Sequence, residues 1–104
     1  MATIRVTIEK DGEVLYSKEV GSISYATSET NNQMVSSLWI NYNNYGGALC
    51  LIETEQLRPY TGEIVQLKID YGGVPSVQKN VILGTVTAEV APFHCGITLN
   101  LIEN

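Results

Sequence analysis

The sequence predicts an all-β domain, either a small antiparallel β-barrel or a β-sandwich, with about seven or eight strands and little helix. Three observations support this fold class. Apolar and polar residues alternate with a period of two in several short segments, as in strands with one buried face. Turn-forming residues separate these segments at roughly regular intervals. No segment has the apolar spacing of a helix of three turns.

Length and composition predict a single domain over residues 1–104. The chain has 104 residues, of which 44% are hydrophobic and 16% are charged. This length suffices for one ordinary hydrophobic core. The surface of a small free domain usually carries about a quarter charged residues. The lower charged fraction therefore favours a surface that is partly covered by a partner.

The charge balance argues against nucleic acid as a specific partner. There are 6 Lys and Arg against 11 Asp and Glu, a net charge of −5, and no basic run occurs. The carboxylates are spread singly, so the sequence does not indicate an acidic patch. No apolar stretch approaches the roughly 18 residues of a membrane span, and the N-terminus MATIRVTIEKDG does not resemble a leader peptide. We therefore expect a chain that is cytoplasmic at synthesis and has no membrane partner.

The first third of the chain predicts a hairpin and a further strand. IRVTIEKDGEVLYSKEV alternates apolar and polar residues around Asp11 and Gly12, a pair suited to a two-residue turn. A third strand is predicted over Gly21–Thr27. The polar segment SETNNQMVSS then predicts a turn, or one short helical turn capped by Ser28.

Two strands are predicted in the middle of the chain. SLWINYN places Leu38, Ile40 and Tyr42 on one face and Trp39 on the other. After the turn-like NNYGG, the apolar run ALCLIETE predicts a strand buried on both faces.

The last third predicts three strands. GEIVQLKIDYGG alternates over eight residues, and residues 72–79 are predicted as a flexible return loop containing Pro75. VILGTVTAEV has Gly84 in its middle, which indicates a bulge or a sharp bend. ITLNLIE predicts the last strand. We expect the first strand to lie beside the last, because such pairing would close a barrel.

The residues able to carry chemistry are few. Cys50 and Cys95 lie in apolar patterns and are predicted to be buried thiols outside any disulfide, with a disulfide as the alternative. His94 adjoins Cys95, but two further zinc ligands are missing, so no metal or cofactor is expected. Glu53 and Glu55 would share one strand face without a cleft between them.

Catalysis is therefore not predicted. Cys50 with His94 is a conceivable nucleophile pair, yet nothing supplies an orienting carboxylate or an oxyanion hole. The candidate contact residues are instead placed in predicted loops, because loops carry binding more often than packed strands. They are Tyr42, Asn44, Tyr45, Tyr71, Val74 and His94.

The order of the segments resembles a known family. A prolyl loop, TGEIVQLKIDYGG, VILGTVTAEV and GITLNLIEN follow one another as in the split-barrel domain of phage baseplate hub proteins. That group includes the late control D family and the related hubs of contractile injection systems. The segment IRVTIEKDGEVLYSKEVGSISYATSETNNQMVSSLWINY is similar to the opening of such hubs.

The resemblance implies a non-enzymatic structural protein of a virion or injection particle, whose copies form a ring. In such rings, edge strands of neighbouring copies continue one another's sheets. Hubs also carry a second barrel and further domains, so this chain is expected to be a single module. Because tail-tube, tail-terminator and head-completion proteins use related small barrels, the expectation widens to a tail or neck structural protein.

Two other classes of function stay open. A β-sandwich that binds a carbohydrate or another small ligand would use the NYNNYGG loop, with exposed aromatic rings beside polar groups. A phage-encoded inhibitor would act by protein–protein contact through an acidic face.

Overall fold

The computed structural model describes residues 3–43, 47–72, 74–91 and 94–103. They form one seven-stranded antiparallel sheet, one helix and one 3-10 turn, which confirms the all-β fold class. The sheet order is β2-β1-β5-β6-β7-β4-β3. The elements are β1 (Ile4–Lys10), β2 (Glu13–Val20), β3 (Ile23–Thr30), β4 (Gln33–Asn43), α1 (Gly47–Leu57), the 3-10 turn (Arg58–Tyr60), β5 (Ile64–Tyr71), β6 (Val74–Ala91) and β7 (His94–Glu103).

The sheet is open, and a short link holds one end of its first edge strand close to one end of its last. The outermost strands in the order, β2 and β3, are consecutive in the chain and are joined only by Gly21 and Ser22. Such a link spans no more than about 11 Å. On the opposite side, the 18-residue β6 pairs with β5 through its first half and with β7 through its second half. The result is a barrel-like pair of half-sheets, β2-β1-β5-β6 and β6-β7-β4-β3.

The bend in β6 lies where a glycine predicts it. The register between β6 and β7 shifts between Leu83 and Thr85, on either side of Gly84. A Cβ added to Gly84 would lie 2.9 Å from the backbone oxygen of Asn100. This close approach excludes a side chain and lets β6 pass from one half-sheet to the other.

Two tight hairpins have the same kind of turn. Asp11 and Gly12 have positive φ angles of 51° and 83°, and Asn31 and Asn32 have 53° and 64°. Positive φ at both central residues is the requirement of a type I′ turn. The first hairpin was predicted. The second confirms the turn predicted within SETNNQMVSS, whereas the alternative of a helical turn capped by Ser28 is wrong, because β3 and β4 run without a break to Asn31 and Asn32.

The segment ALCLIETE is helical, so the strand predicted there is wrong, and so is the expectation that no three-turn helix exists. Its buried residues Cys50, Thr54 and Leu57 are spaced by four and three, as on one face of a helix. The apolar residues Leu51 and Ile52 occupy the other face. A helix that is apolar on both faces cannot be distinguished from a buried strand by periodicity alone.

Two further expectations are wrong. Residues 74–79 of the predicted return loop 72–79 belong to a strand, because β6 begins at Val74 and its backbone pairs with Tyr71, while Gly73 lies outside the described residues. Pro75 is accommodated because the register shifts beside it, between Ile69 and Asp70. The terminal strands are not neighbours either, since β1 pairs with β2 and β5, and β7 pairs with β4 and β6. The sheet stays open instead, with β2 and β3 as its two unpaired edges, linked through Gly21 and Ser22.

The core lies between the half-sheets. Alternate residues of β1, β4, β5 and β7 point inward and are almost fully buried, as the period of two predicts. The helix α1 contacts β6 and β7 of one half-sheet and β2 of the other. The largest buried side chains are Ile8, Leu38, Ile40, Leu57, Leu67, Ile69, Leu83, Ile97, Leu99 and Leu101.

Candidate interaction surfaces

The predicted contact residues do not form one site. Tyr42 lies in the core with only 6% of its surface exposed, so its prediction as a contact residue is wrong. Asn44 and Tyr45 lie outside the described residues. Tyr71 is 40% exposed and pairs with Val74 where β5 meets β6. His94 begins β7 in the other half-sheet, so it is a strand residue rather than a loop residue.

Tyr42 belongs to a buried polar network beneath α1. Its hydroxyl lies 2.6 Å from the hydroxyl of Tyr16 on β2. Burial is the main cause that raises the pKa of both phenols above the ordinary value of 10.0, and their mutual hydrogen bond raises the pKa of Tyr42 further. Both hydroxyls therefore stay protonated at neutral pH and join β2 to β4.

Lys18 extends this network to the helix. It lies on the inward face of β2, in phase with Tyr16 and Val20. Its Nζ is 3.5 Å from Glu53 Oε1 and 4.9 Å from the centre of the Tyr42 ring. The ion pair and the cation–π contact let a charged side chain point inward at an edge strand, because α1 provides the opposite charge.

The chemical pairs considered from the sequence are separated in space. Glu53 is directed to Lys18, whereas Glu55 is exposed and paired with Arg58. Cys50 and Cys95 are both buried and outside any disulfide, as predicted. Burial raises the pKa of the Cys50 thiol, which keeps it protonated and poorly nucleophilic.

An aromatic stack lies on the outer face of β4 and β7. The rings of Trp39 and His94 are 4.8 Å apart between centroids, with 11° between their planes. Gly96 makes room for it, because an added Cβ would lie 2.5 Å from the indole Cη2. His94 Nε2 is also 3.6 Å from Glu89 Oε1. The sequence placed Trp39 on this outer face, but only the register of β4 against β7 brings it beside Gly96.

A polar cleft of about 220 Å³ lies at the end of β1, β2 and β5. Arg5 pairs with Glu19 at 3.0 Å, and Thr3 donates a hydrogen bond to the same carboxylate at 2.6 Å. The Thr3 hydrogen bond and the Arg5 charge lower the pKa of Glu19 below its ordinary value. The cleft thus holds a surface ion-pair network close to Gly72 and the predicted contact residue Tyr71.

The free edge of β3 is the longest regular edge among the described strands. β3 hydrogen-bonds only to β4 within the described sheet, through eight consecutive register pairs without a bulge. All residues from Ala26 to Thr30 are exposed. An exposed edge of this kind presents unpaired backbone groups to another chain.

The register identifies which amides face outward. Asn41 N donates to Ser22 O at 3.3 Å, which makes Ser22 and Asn41 a hydrogen-bonded pair. The two-residue turn makes Thr30 and Gln33 another such pair. Because these pairs alternate along an antiparallel ladder, the even-numbered residues of β3 bond to β4. The N–H and C=O groups of Ile23, Tyr25, Thr27 and Glu29 therefore point away from the sheet.

The outward face of α1 is a second unusual surface. Leu49, Leu51 and Ile52 are 42%, 53% and 56% exposed on a helix of 11 residues. A helix that is apolar on both faces is ordinarily buried on both faces. This concentration of exposed apolar side chains is typical of a surface that another protein covers.

No family model, curated protein or solved structure matches this chain. In the described part of the chain, neither helical segment is long and apolar enough to cross a membrane. Within the same residues, no three His, Cys, Asp or Glu side chains are grouped to hold a metal ion.

Proposed function

We propose that this protein is a non-enzymatic structural component that works by assembling with further copies of itself, as ring-forming proteins of a phage tail or baseplate do. The observation that carries the proposal is the free edge of β3, eight residues long, exposed and regular. Pairing of such an edge gives affinity through backbone hydrogen bonds and specificity through alternating side chains.

The composition of β3 supports assembly at this edge. The strand has Thr, Tyr and Ile residues that favour strands, and it has no Lys, Pro or bulge to discourage pairing. The outward apolar face of α1 provides a second, different surface. A ring that contains more than two copies needs more than one contact surface on each copy.

The low charged fraction supports the same proposal. With 16% charged residues, the chain has a lower charged fraction than the roughly 25% of a typical globular domain. The resemblance of the segment order to phage hub barrels supports the proposal that the assembly belongs to a tail, neck or baseplate structure.

The test is the mass in solution, measured by light scattering behind a sizing column over a range of concentrations. We expect the wild type to form assemblies that are multiples of the 11.4 kDa chain. Thr27→Pro removes an outward N–H and the side-chain hydrogen bond to Ser36 but no backbone hydrogen bond to β4, so it should keep the β3–β4 ladder and shift the protein to monomers. Thr27→Ser keeps the amide and the hydroxyl that lies 3.0 Å from Ser36, and should assemble as the wild type does.

Glu29→Pro removes another outward amide nearer the hairpin tip and replaces Thr27→Pro if that variant does not fold. Circular dichroism shows whether each variant retains its sheet. A wild type that stays monomeric at every concentration would contradict the proposal. Assembly that both proline variants leave unchanged would show that another surface joins the copies.

A further inference from the structure

We infer that the partner of the β3 edge is the β3 strand of a second copy, paired antiparallel across a two-fold axis at Ala26. The inference rests on the proposed self-assembly and specifies its contact. It follows from three observations. The first two are the positions of the outward amides of β3 and the side chains on its faces. The third is that the other edge strand, β2, is protected against pairing.

The outward amides determine the register. Ile23, Tyr25, Thr27 and Glu29 direct their backbone groups away from β4, and these four residues are symmetric about Ala26. Antiparallel pairing at this centre places Ile23 opposite Glu29 of the second copy and Tyr25 opposite Thr27. All four residues then enter hydrogen-bonded pairs. A shift of the centre to Thr27 leaves three such pairs within the strand, and a centre at Ser28 leaves two.

The side chains suit this register. The outer face of β3 carries Ser24, Ala26 and Ser28, all short and exposed. Ala26 would face its own symmetry mate, and Ser24 would face Ser28 of the second copy. These are non-hydrogen-bonded pairs, in which the strands approach to about 4.5 Å between Cα atoms. Short side chains accommodate that distance.

Charge does not oppose the pairing. Glu29 is the single charged residue of β3, and it would face Ile23 rather than another carboxylate. Only a centre at Glu29 itself would place two carboxylates opposite each other, an unfavourable arrangement. The two-fold register at Ala26 therefore combines the most backbone hydrogen bonds with no repulsion between like charges.

The alternative strand partner, β2 of a second copy, is disfavoured. Leu15 is an extra residue in β2, because Ile8 pairs with Tyr16 and Glu9 pairs with Val14. Lys18 points inward from the same strand and is held by Glu53 of α1. A bulge and an inward charge are two devices that prevent edge pairing. With β3 paired to β3, the dimer becomes the unit from which larger assemblies grow, in even numbers of copies.

Disulfide trapping tests the register. Ala26→Cys places two thiols at opposed positions, and Cα atoms about 4.5 Å apart lie within the range that a disulfide spans. Oxidised glutathione accepts the two electrons and is reduced as the two thiols lose their protons. We expect most of the Ala26→Cys protein to run as a covalent dimer on non-reducing gels. The wild type is the background control, because both native cysteines are buried.

Two matched variants determine the centre. Ser24→Cys and Ser28→Cys change exposed residues of the same face and should not cross-link alone, because each would lie four residues along the strand from its own mate. When the two variants are mixed, they should cross-link to each other. Cross-linking of Ala26→Cys with Ser28→Cys in place of that pair would overturn the register and indicate a centre at Thr27.

The outcomes separate this inference from the proposed function. If the wild type assembles and Thr27→Pro prevents it, but none of these cysteine variants is trapped, the β3 edge joins copies in another geometry and the two-fold contact is wrong. If the wild type does not assemble at all, both proposals fail together. Assemblies with an odd number of copies would also contradict the two-fold contact.

Discussion

The two edge strands of this barrel are treated in opposite ways. β2 carries a bulge at Leu15, points Lys18 inward and is packed against α1. β3 is regular over its whole length and has none of these devices among the described residues. Both strands have eight residues, and they are separated by only two residues in the chain. The difference therefore lies in their side chains and neighbours, not in their length or position.

This contrast supports the proposal that β3, and not β2, pairs with another copy. Natural sheets protect edges because unpaired backbone groups bind other chains indiscriminately. A protein that protected neither edge would pair in several ways, and one that protected both would not pair at all. With β2 alone protected, the proposed pairing would be limited to β3, which favours a symmetric contact at this edge.

The largest expected effect on stability comes from removing the ion pair between Lys18 of β2 and Glu53 of α1. Glu53→Gln leaves Lys18 partly buried without its opposite charge, at side-chain exposures of 25% for Lys18 and 14% for Glu53. We expect a loss of about 2 kcal/mol in the free energy of unfolding, between the values for exposed and fully buried ion pairs. Urea denaturation followed by circular dichroism measures this loss.

The matched control is Glu55→Gln, two residues along the same helix. Glu55 is exposed and paired with Arg58, so its loss should change the free energy of unfolding by less than about 0.5 kcal/mol. Equal effects of the two variants would show that the Lys18–Glu53 contact does not hold α1 on β2. Larger assemblies of Glu53→Gln in light scattering would show that β2 is kept closed by this contact.

A smaller effect is expected from the tyrosine pair that joins β2 to β4. Tyr42→Phe removes the hydrogen bond to Tyr16 and should cost about 1 kcal/mol. The pKa of both phenols is raised in the folded protein, so above pH 10 the unfolded chain loses these protons first. Stability should be fully present below pH 10 and fall as the pH rises further.

The pH dependence distinguishes this contribution from simple packing. Each buried tyrosine contributes a slope of up to about 1.4 kcal/mol per pH unit above pH 10. Tyr42→Phe should reduce the slope of the wild type between pH 10 and 11, measured by urea denaturation at several pH values. Tyr71→Phe, a change at an exposed ring, is the control and should leave the slope unchanged. A slope that Tyr42→Phe does not alter would contradict the buried pair.

The parts of this fold that could be predicted are those in which one physical pattern dominates. The alternation of Val65, Leu67 and Ile69 predicts β5, and all three side chains are buried. Asp11-Gly12 predicts its hairpin through a conformation that few residue pairs adopt readily. Gly84 predicts the register shift in β6 because a side chain would collide with the neighbouring strand.

The errors occur where two explanations fit the same residues. α1 is apolar on both faces, so its pattern matches a buried strand equally well. Asn31-Asn32 lies in a polar segment that also suits a loop, and only positive φ angles at both residues distinguish the tight turn. The candidate surfaces depend on register. The stacking of Trp39 on His94 follows from pairing between β4 and β7, which are distant in the sequence. The direction of the β3 amides follows from the exact position of the two-residue turn between β3 and β4.

The smallest expected effect concerns the second central residue of the two hairpin turns. Asn32 has a φ of 64°, at the position where the first hairpin has Gly12 with a φ of 83°. Glycine adopts positive φ without the steric cost that other residues have, and Asn-Gly is the preferred pair for a type I′ turn. Asn32→Gly should therefore stabilise the fold by about 0.5 kcal/mol, measured by thermal and urea denaturation. Asn32→Ala should destabilise it, because alanine keeps the steric cost and loses the polar side chain that asparagine uses in turns.

Neither change touches the outward amides of β3, so both variants should assemble as the wild type does. If Asn32→Gly alters assembly instead, the tip of the β3–β4 hairpin takes part in the contact, and the edge pairing extends beyond β3 itself.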